Sequence, residues 1–142
     1  MSTSSFPDVN VWIALVWDGH VHSEAALRWF TSSQGSLYFC RHTQLGLLRL
    51  LTTSAMMGAD TKSSDEAWQL WDQIWADPRI AFHAEPEGLD PDLRRFSSSP
   101  RPSSKVWADA YLLAFAKSAD LRLVTLDRAL ANRSANALLL EP

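Results

Sequence analysis

SKVWADAYLLAFAKSADLRLVTLD, residues 104–127, reads as a helix feeding directly into a buried strand. From Ser104 to Lys117, Val106, Leu112, Leu113 and Ala116 recur at helical spacing, whereas Leu121-Arg122-Leu123-Val124-Thr125-Leu126 is a short apolar run of strand type. The same alternation extends to both sides. Further strands are expected at Ser36 to Cys40, at Arg79 to His83 and at Ala137 to Leu140. Helices are expected over His22 to Phe30, over Thr43 to Leu51, and from Ser64-Asp65-Glu66, whose capping serine and early acids precede Trp68, Trp71 and Trp75. Strands alternating with helices imply an α/β layered fold around a mainly parallel sheet.

The 142 residues, 46% hydrophobic and 20% charged, suit one compact domain spanning 1–142 better than two. The turn-rich segments Gly58 to Ser64 and Ser97 to Ser104 separate no unit large enough to fold alone, so both are read as loops. A net charge of −3 excludes a generally basic nucleic-acid coat, although ten of the 13 cations are arginine, the side chain suited to bidentate phosphate contact. The single cysteine, Cys40, excludes an intramolecular disulfide and a cysteine-based zinc site. No stretch approaches the roughly 18 consecutive apolar residues of a membrane span. The opening Met1-Ser2-Thr3-Ser4-Ser5-Phe6 lacks the basic and apolar regions of a signal peptide, so a cytoplasmic protein without membrane association is expected.

Three aspartates stand in chemically informative places. Asp8 follows Phe6-Pro7 and precedes the apolar Val9 to Leu15, and Asp127 directly follows Val124-Thr125-Leu126, so each belongs where a strand turns into a helix. A helix N-cap is one role open to each of them. Ligand sites of open α/β sheets form beyond the carboxyl ends of strands, which is the other. Asp109 falls within the helix of residues 104–117, beside the apolar Val106, Leu112, Leu113 and Ala116. A carboxylate there requires compensation, by a buried ion pair such as one to Arg49 or by a metal. Converging carboxylates repel unless a cation sits among them, and an all-oxygen set suits Mg²⁺ or Mn²⁺. Such an ion activates water and stabilises charge on phosphate, so the implied chemistry is metal-dependent phosphodiester hydrolysis.

The same residues carry a family resemblance over nearly the whole chain. Phe6-Pro7-Asp8-Val9-Asn10, Thr43-Gln44-Leu45-Gly46-Leu47-Leu48-Arg49-Leu50-Leu51, Asp109-Ala110-Tyr111-Leu112 and Thr125-Leu126-Asp127-Arg128 occur in the order seen in PIN-domain ribonucleases. The chain resembles most the VapC toxins of prokaryotic toxin–antitoxin modules, and His20-Val21-His22-Ser23-Glu24-Ala25-Ala26 resembles their first loop and second helix. The resemblance implies a three-layer α/β/α fold, with Asp8, Asp109 and Asp127 binding Mg²⁺ or Mn²⁺ for RNA cleavage. Asn10 and Thr125 match polar residues near that metal. It also implies a homodimer and inhibition by a cognate VapB-type antitoxin. Many members carry glutamate where this chain has Gln44, which brings no charge and cannot act as a base. Gln44 is placed among the catalytic residues, with Thr43 beside it as a substrate contact.

The densest cationic stretch, Arg94, Arg95, Arg101 and Lys105, leads into the Asp109 helix and is read either as a solvated loop or as an RNA-backbone contact. Of four histidines, only His42 stands beside a site motif. The expected function is a metal-dependent endoribonuclease toxin. The alternative is a catalytically weak or inactive PIN-fold module that binds RNA or a protein partner, favoured by Gln44. A phosphoryl-accepting receiver domain is excluded, because the chain has neither an early paired-acid motif nor a strand-end lysine.

Overall fold

Short runs of aromatic and aliphatic residues become five parallel strands in the computed structural model, which describes residues 4–142. Met1-Ser2-Thr3, part of the opening read above as lacking a signal peptide, lies outside the described residues. The strands are β1 (Ser5–Pro7), β2 (Leu37–Phe39), β3 (Ile80–Phe82), β4 (Arg122–Thr125) and β5 (Ala137–Leu139). They lie in the order β3-β2-β1-β4-β5, with Phe6 opposite Leu123 and Pro7 opposite Val124. The chain steps outward from β1 through β2 to β3, then returns to place β4 on the other side of β1. Strand order therefore reverses between β1 and β4, and such a reversal opens a crevice beyond the carboxyl ends of the strands. The four strands expected between residues 36 and 140 are all found, trimmed by one or two residues at their ends.

The helices are α1 (Val9–Val16), α2 (Ser23–Ser32), α3 (Arg41–Leu51), α4 (Ser54–Met57), α5 (Ser64–Trp75), α6 (Asp90–Ser97), α7 (Val106–Ala119) and α8 (Arg128–Ala131). Apolar clusters fill both faces of the sheet. On one face Trp12 and Ile13 of α1, Leu47 and Leu51 of α3 and Trp71 of α5 close over Leu37 and Phe39. On the other, Leu112, Leu113 and Phe115 of α7 cover Phe6 and Leu123, with Phe6 and Phe115 stacked at 4.6 Å. Among the described residues no helix is long and apolar enough to cross a membrane.

Two expectations change. The loop read at Gly58 to Ser64 begins as a 3-10 turn, Gly58–Asp60, continuing α4. Arg94 and Arg95 lie not in a loop but in the last turn of α6, a helix opened by Asp90, Pro91 and Asp92. Of the tryptophans on one face of α5, only Trp71 is buried, while Trp68 and Trp75 remain exposed.

Gly46 sets how closely α3 approaches α1. A Cβ added there would lie 2.6 Å from Val9 Cγ2, and Val9 is a β-branched side chain with little rotamer freedom. Gly46→Ala is expected to cost about 1–3 kcal/mol in overpacking, outweighing the roughly 1 kcal/mol of helix propensity that alanine adds. Urea unfolding checks this. A variant as stable as the parent would contradict the close approach.

Candidate active site

Three helix beginnings converge at the crevice between β1 and β4. Asp8 follows β1 and caps α1, its Oδ1 accepting from the Val11 N–H at 3.1 Å. Asp127 follows β4 and caps α8, accepting from the Leu130 N–H at 3.2 Å. Asp109 lies in the first turn of α7, earlier in its helix than expected because α7 begins at Val106 and not at Ser104. Capping and a shared site are thus compatible for Asp8 and Asp127. Each uses one oxygen on backbone, and both line a single pocket of about 390 Å³ with Asp109 and Asn10.

Thr125, fully buried at the end of β4, ties two of the acids together. Its hydroxyl donates to Asp8 Oδ2 and accepts from the Asp127 N–H at 3.0 Å. Replacing it with the isosteric valine leaves a buried carboxylate oxygen and a backbone N–H each short of a partner. Thr125→Val is expected to cost about 1–3 kcal/mol, and Thr125→Ser to recover most of it, as measured by urea unfolding.

The electrostatics show what the pocket lacks. Burial pushes the Asp8 carboxyl up to about 6, against the hydrogen bonds from Thr125, Val11 and Asn10, and the Asp127 charge adds to the rise. Asp109 is also raised, first by burial and then by Asp127, with Arg133 opposing. Asp127 therefore repels both of the other acids, the condition a divalent cation relieves. The donors are carboxylate oxygens, the ligands preferred by hard ions. Among the described residues no three His, Cys, Asp or Glu side chains form a group arranged to hold an ion. The chemistry of the set fits such an ion, but the side chains are not drawn together round one.

The second motif is divided by helical phase. His42, Leu45, Gly46 and Arg49 recur along one face of α3 and line the acid pocket. Gln44 falls on another face, buried in step with Leu47 and Leu51, where its Oε1 accepts from Arg41 Nη1 at 2.5 Å. Thr43 is fully buried, and its hydroxyl is held by the Cys40 N–H and carbonyl at the start of α3. Neither Gln44 nor Thr43 is among the residues that line the pocket. Nor are Arg94, Arg95 and Arg101: Arg95 pairs with Asp92 at 3.0 Å, and the other two are exposed on α6 and in the following loop. Arg49 reads from the sequence first as a buried ion-pair partner and second as a phosphate contact. It is exposed, and among the described residues it forms no ion pair. Arg133, whose charge reaches Asp109, escaped the sequence reading because no motif surrounds it.

A five-stranded parallel sheet with an acid pocket at its strand reversal defines a class. The PIN-domain model matches residues 5–136, and the chain belongs to the PIN-domain family. Within the family its relatives are of the VapC type. It is 42% identical over 128 residues to Ribonuclease VapC41 of Mycobacterium tuberculosis, covering 86% of this chain and 88% of that one. It is 31% identical over 137 residues to Ribonuclease VapC29 of the same organism, covering 95% and 94%. The crystal structure of M. tuberculosis VapC20, a sarcin-ricin loop cleaving toxin, matches with a TM-score of 0.68 over 96% of this chain and 98% of that one. At 17% identity, that likeness speaks for the fold.

Proposed function

We propose that the protein is a metal-dependent endoribonuclease toxin of the VapBC type. The observation that carries this reading is that Asp8, Asp109 and Asp127 line one pocket at the strand reversal. Asp8, Asp109 and Asp127 would hold Mg²⁺ or Mn²⁺, which when bound activates water and stabilises charge on an RNA phosphodiester. Thr125 orients Asp8 through its hydroxyl and the start of α8 through the Asp127 N–H. Asn10, on the pocket wall, offers an amide to substrate or to ordered water. Kinship with VapC41 and VapC29 supports RNA as substrate and a VapB-type antitoxin as partner. The proposal extends to a homodimer and to a cytoplasmic, single-domain protein.

Induced expression in a bacterial host tests the toxin role. Wild type is expected to arrest growth, and Asp109→Asn to be tolerated at equal abundance. A folded Asp109→Asn that arrests growth equally would contradict the assignment. One observation favours a second reading, a PIN fold that binds RNA without cutting it. Gln44 brings no charge and faces Arg41 instead of the pocket, leaving three acids there. RNA binding without cleavage at any concentration of either ion would select that reading.

A further inference from the structure

We propose that Arg49 binds a phosphate of the RNA strand inside the acid pocket and positions that strand against Asp8, Asp109 and Asp127; this rests on the ribonuclease reading above. Arg49 lies one helical turn beyond Gly46 and Leu45, on the α3 face that forms the wall of the pocket. Because Gly46 packs directly on Val9, α3 is held close to the start of α1, where Asp8 sits. The wall is therefore close to the acids and supported by packing.

Arg49 differs from the cations around it. Arg41 donates to Gln44, Arg128 pairs with Glu141, and Arg133 donates to the Phe96 carbonyl at 2.6 Å. Arg49 shares its pocket with three carboxylates, yet among the described residues it forms an ion pair with none of them. Its guanidinium fork is left available. Leu45 and Leu50 flank it on the same wall, and a charge-assisted contact from a guanidinium is stronger than a neutral one. The chemical need is equally clear: three ionised acids outweigh the charge of one divalent ion, so a phosphodiester entering this pocket gains from a fixed cation that those acids do not neutralise. A planar fork binds phosphate through two parallel hydrogen bonds, which a lysine cannot reproduce.

The test uses the full chain as wild type, Arg49→Gln and Arg49→Lys. Binding of a labelled single-stranded RNA oligonucleotide is measured in chelator over a salt series, and single-turnover cleavage is measured with Mn²⁺. Arg49→Gln is expected to lose roughly tenfold in affinity. The slope of log affinity against log salt is expected to fall by about 0.7, the value for one phosphate contact on a single strand. Arg49→Lys is expected to restore the slope but only part of the cleavage rate. A purely structural role would not move the salt slope. An Arg49→Gln protein that melts like wild type and keeps both affinity and slope overturns the proposal, as does wild type that binds no RNA. If Arg49→Gln lowers affinity and slope while wild type cuts nothing, the phosphate assignment stands and the ribonuclease reading fails.

Discussion

Asp8→Asn is expected to leave the protein more stable and to remove its activity. The Asp8 carboxyl is 5% exposed and is pushed up to about 6, against an ordinary value of 3.8. In the unfolded chain it ionises at the lower value, so the folded state binds this proton more tightly. Stability from this group is full below about pH 4 and is lost as pH rises through about 6. Above that, wild type carries a buried charge at a cost of about 3 kcal/mol. Asparagine keeps the cap on α1 through its single amide oxygen, and its Nδ2 donates to the Thr125 hydroxyl where the carboxylate accepted from it, without the charge. Urea unfolding is therefore expected to show the variant ahead by up to about 3 kcal/mol at pH 7.5, with the difference vanishing toward pH 4. Curves that stay parallel across that range would contradict the buried charge. RNA cleavage is expected to fall at least about 100-fold. Mg²⁺ should raise the melting temperature of wild type and leave that of the variant unmoved. Greater stability with lost function marks a strained functional site.

Trp12→Ala is expected to be the most damaging single change to the fold. Trp12 is fully buried on α1, stacks on Phe39 at 3.9 Å and packs with Leu47, Leu51 and Trp71. Removing it leaves a cavity between α1, β2 and α3, at about 3–5 kcal/mol. Domains hold only about 5–15 kcal/mol in total, so a large share of the reserve is gone. The indole N–H of Trp12 has no hydrogen-bond partner within the protein. Trp12→Phe removes that donor, and its cost should fall well below that of the alanine change. Melting curves of the two variants check the ordering. Equal losses would contradict the packing of the ring against Phe39 and its neighbours.

Periodicity made most of the architecture legible. The helices flanking Ser36 to Cys40 and the strand Leu121 to Leu126 each show one unambiguous period, and all of them form. The helix Asp90–Ser97 was missed because it carries only two apolar side chains of any size, Leu93 and Phe96, and none of its residues is buried. Its Asp-Pro-Asp opening and Arg-Arg close were the available signals. At the site, Asp8 and Asp127 were readable because strand ends and N-caps share one position in the chain. Gln44 was not, because its motif neighbours Leu45, Gly46 and Arg49 turn toward the pocket, and the phase of α3 carries Gln44 into contact with Arg41. Arg49, on a helix otherwise full of leucine, reads from the sequence first as an ion-pair partner and second as a phosphate contact. Gly46 opens one face of that helix onto the acid pocket.

RNA cleavage by the purified, antitoxin-free protein tests the central claim most directly. It is measured with Mg²⁺, with Mn²⁺ and with chelator, beside Asp8→Asn and Asp109→Asn. Cutting that requires metal and is lost in both variants is the expected result. Cutting that persists in chelator, or in either folded variant at the wild-type rate, would contradict the three-aspartate site.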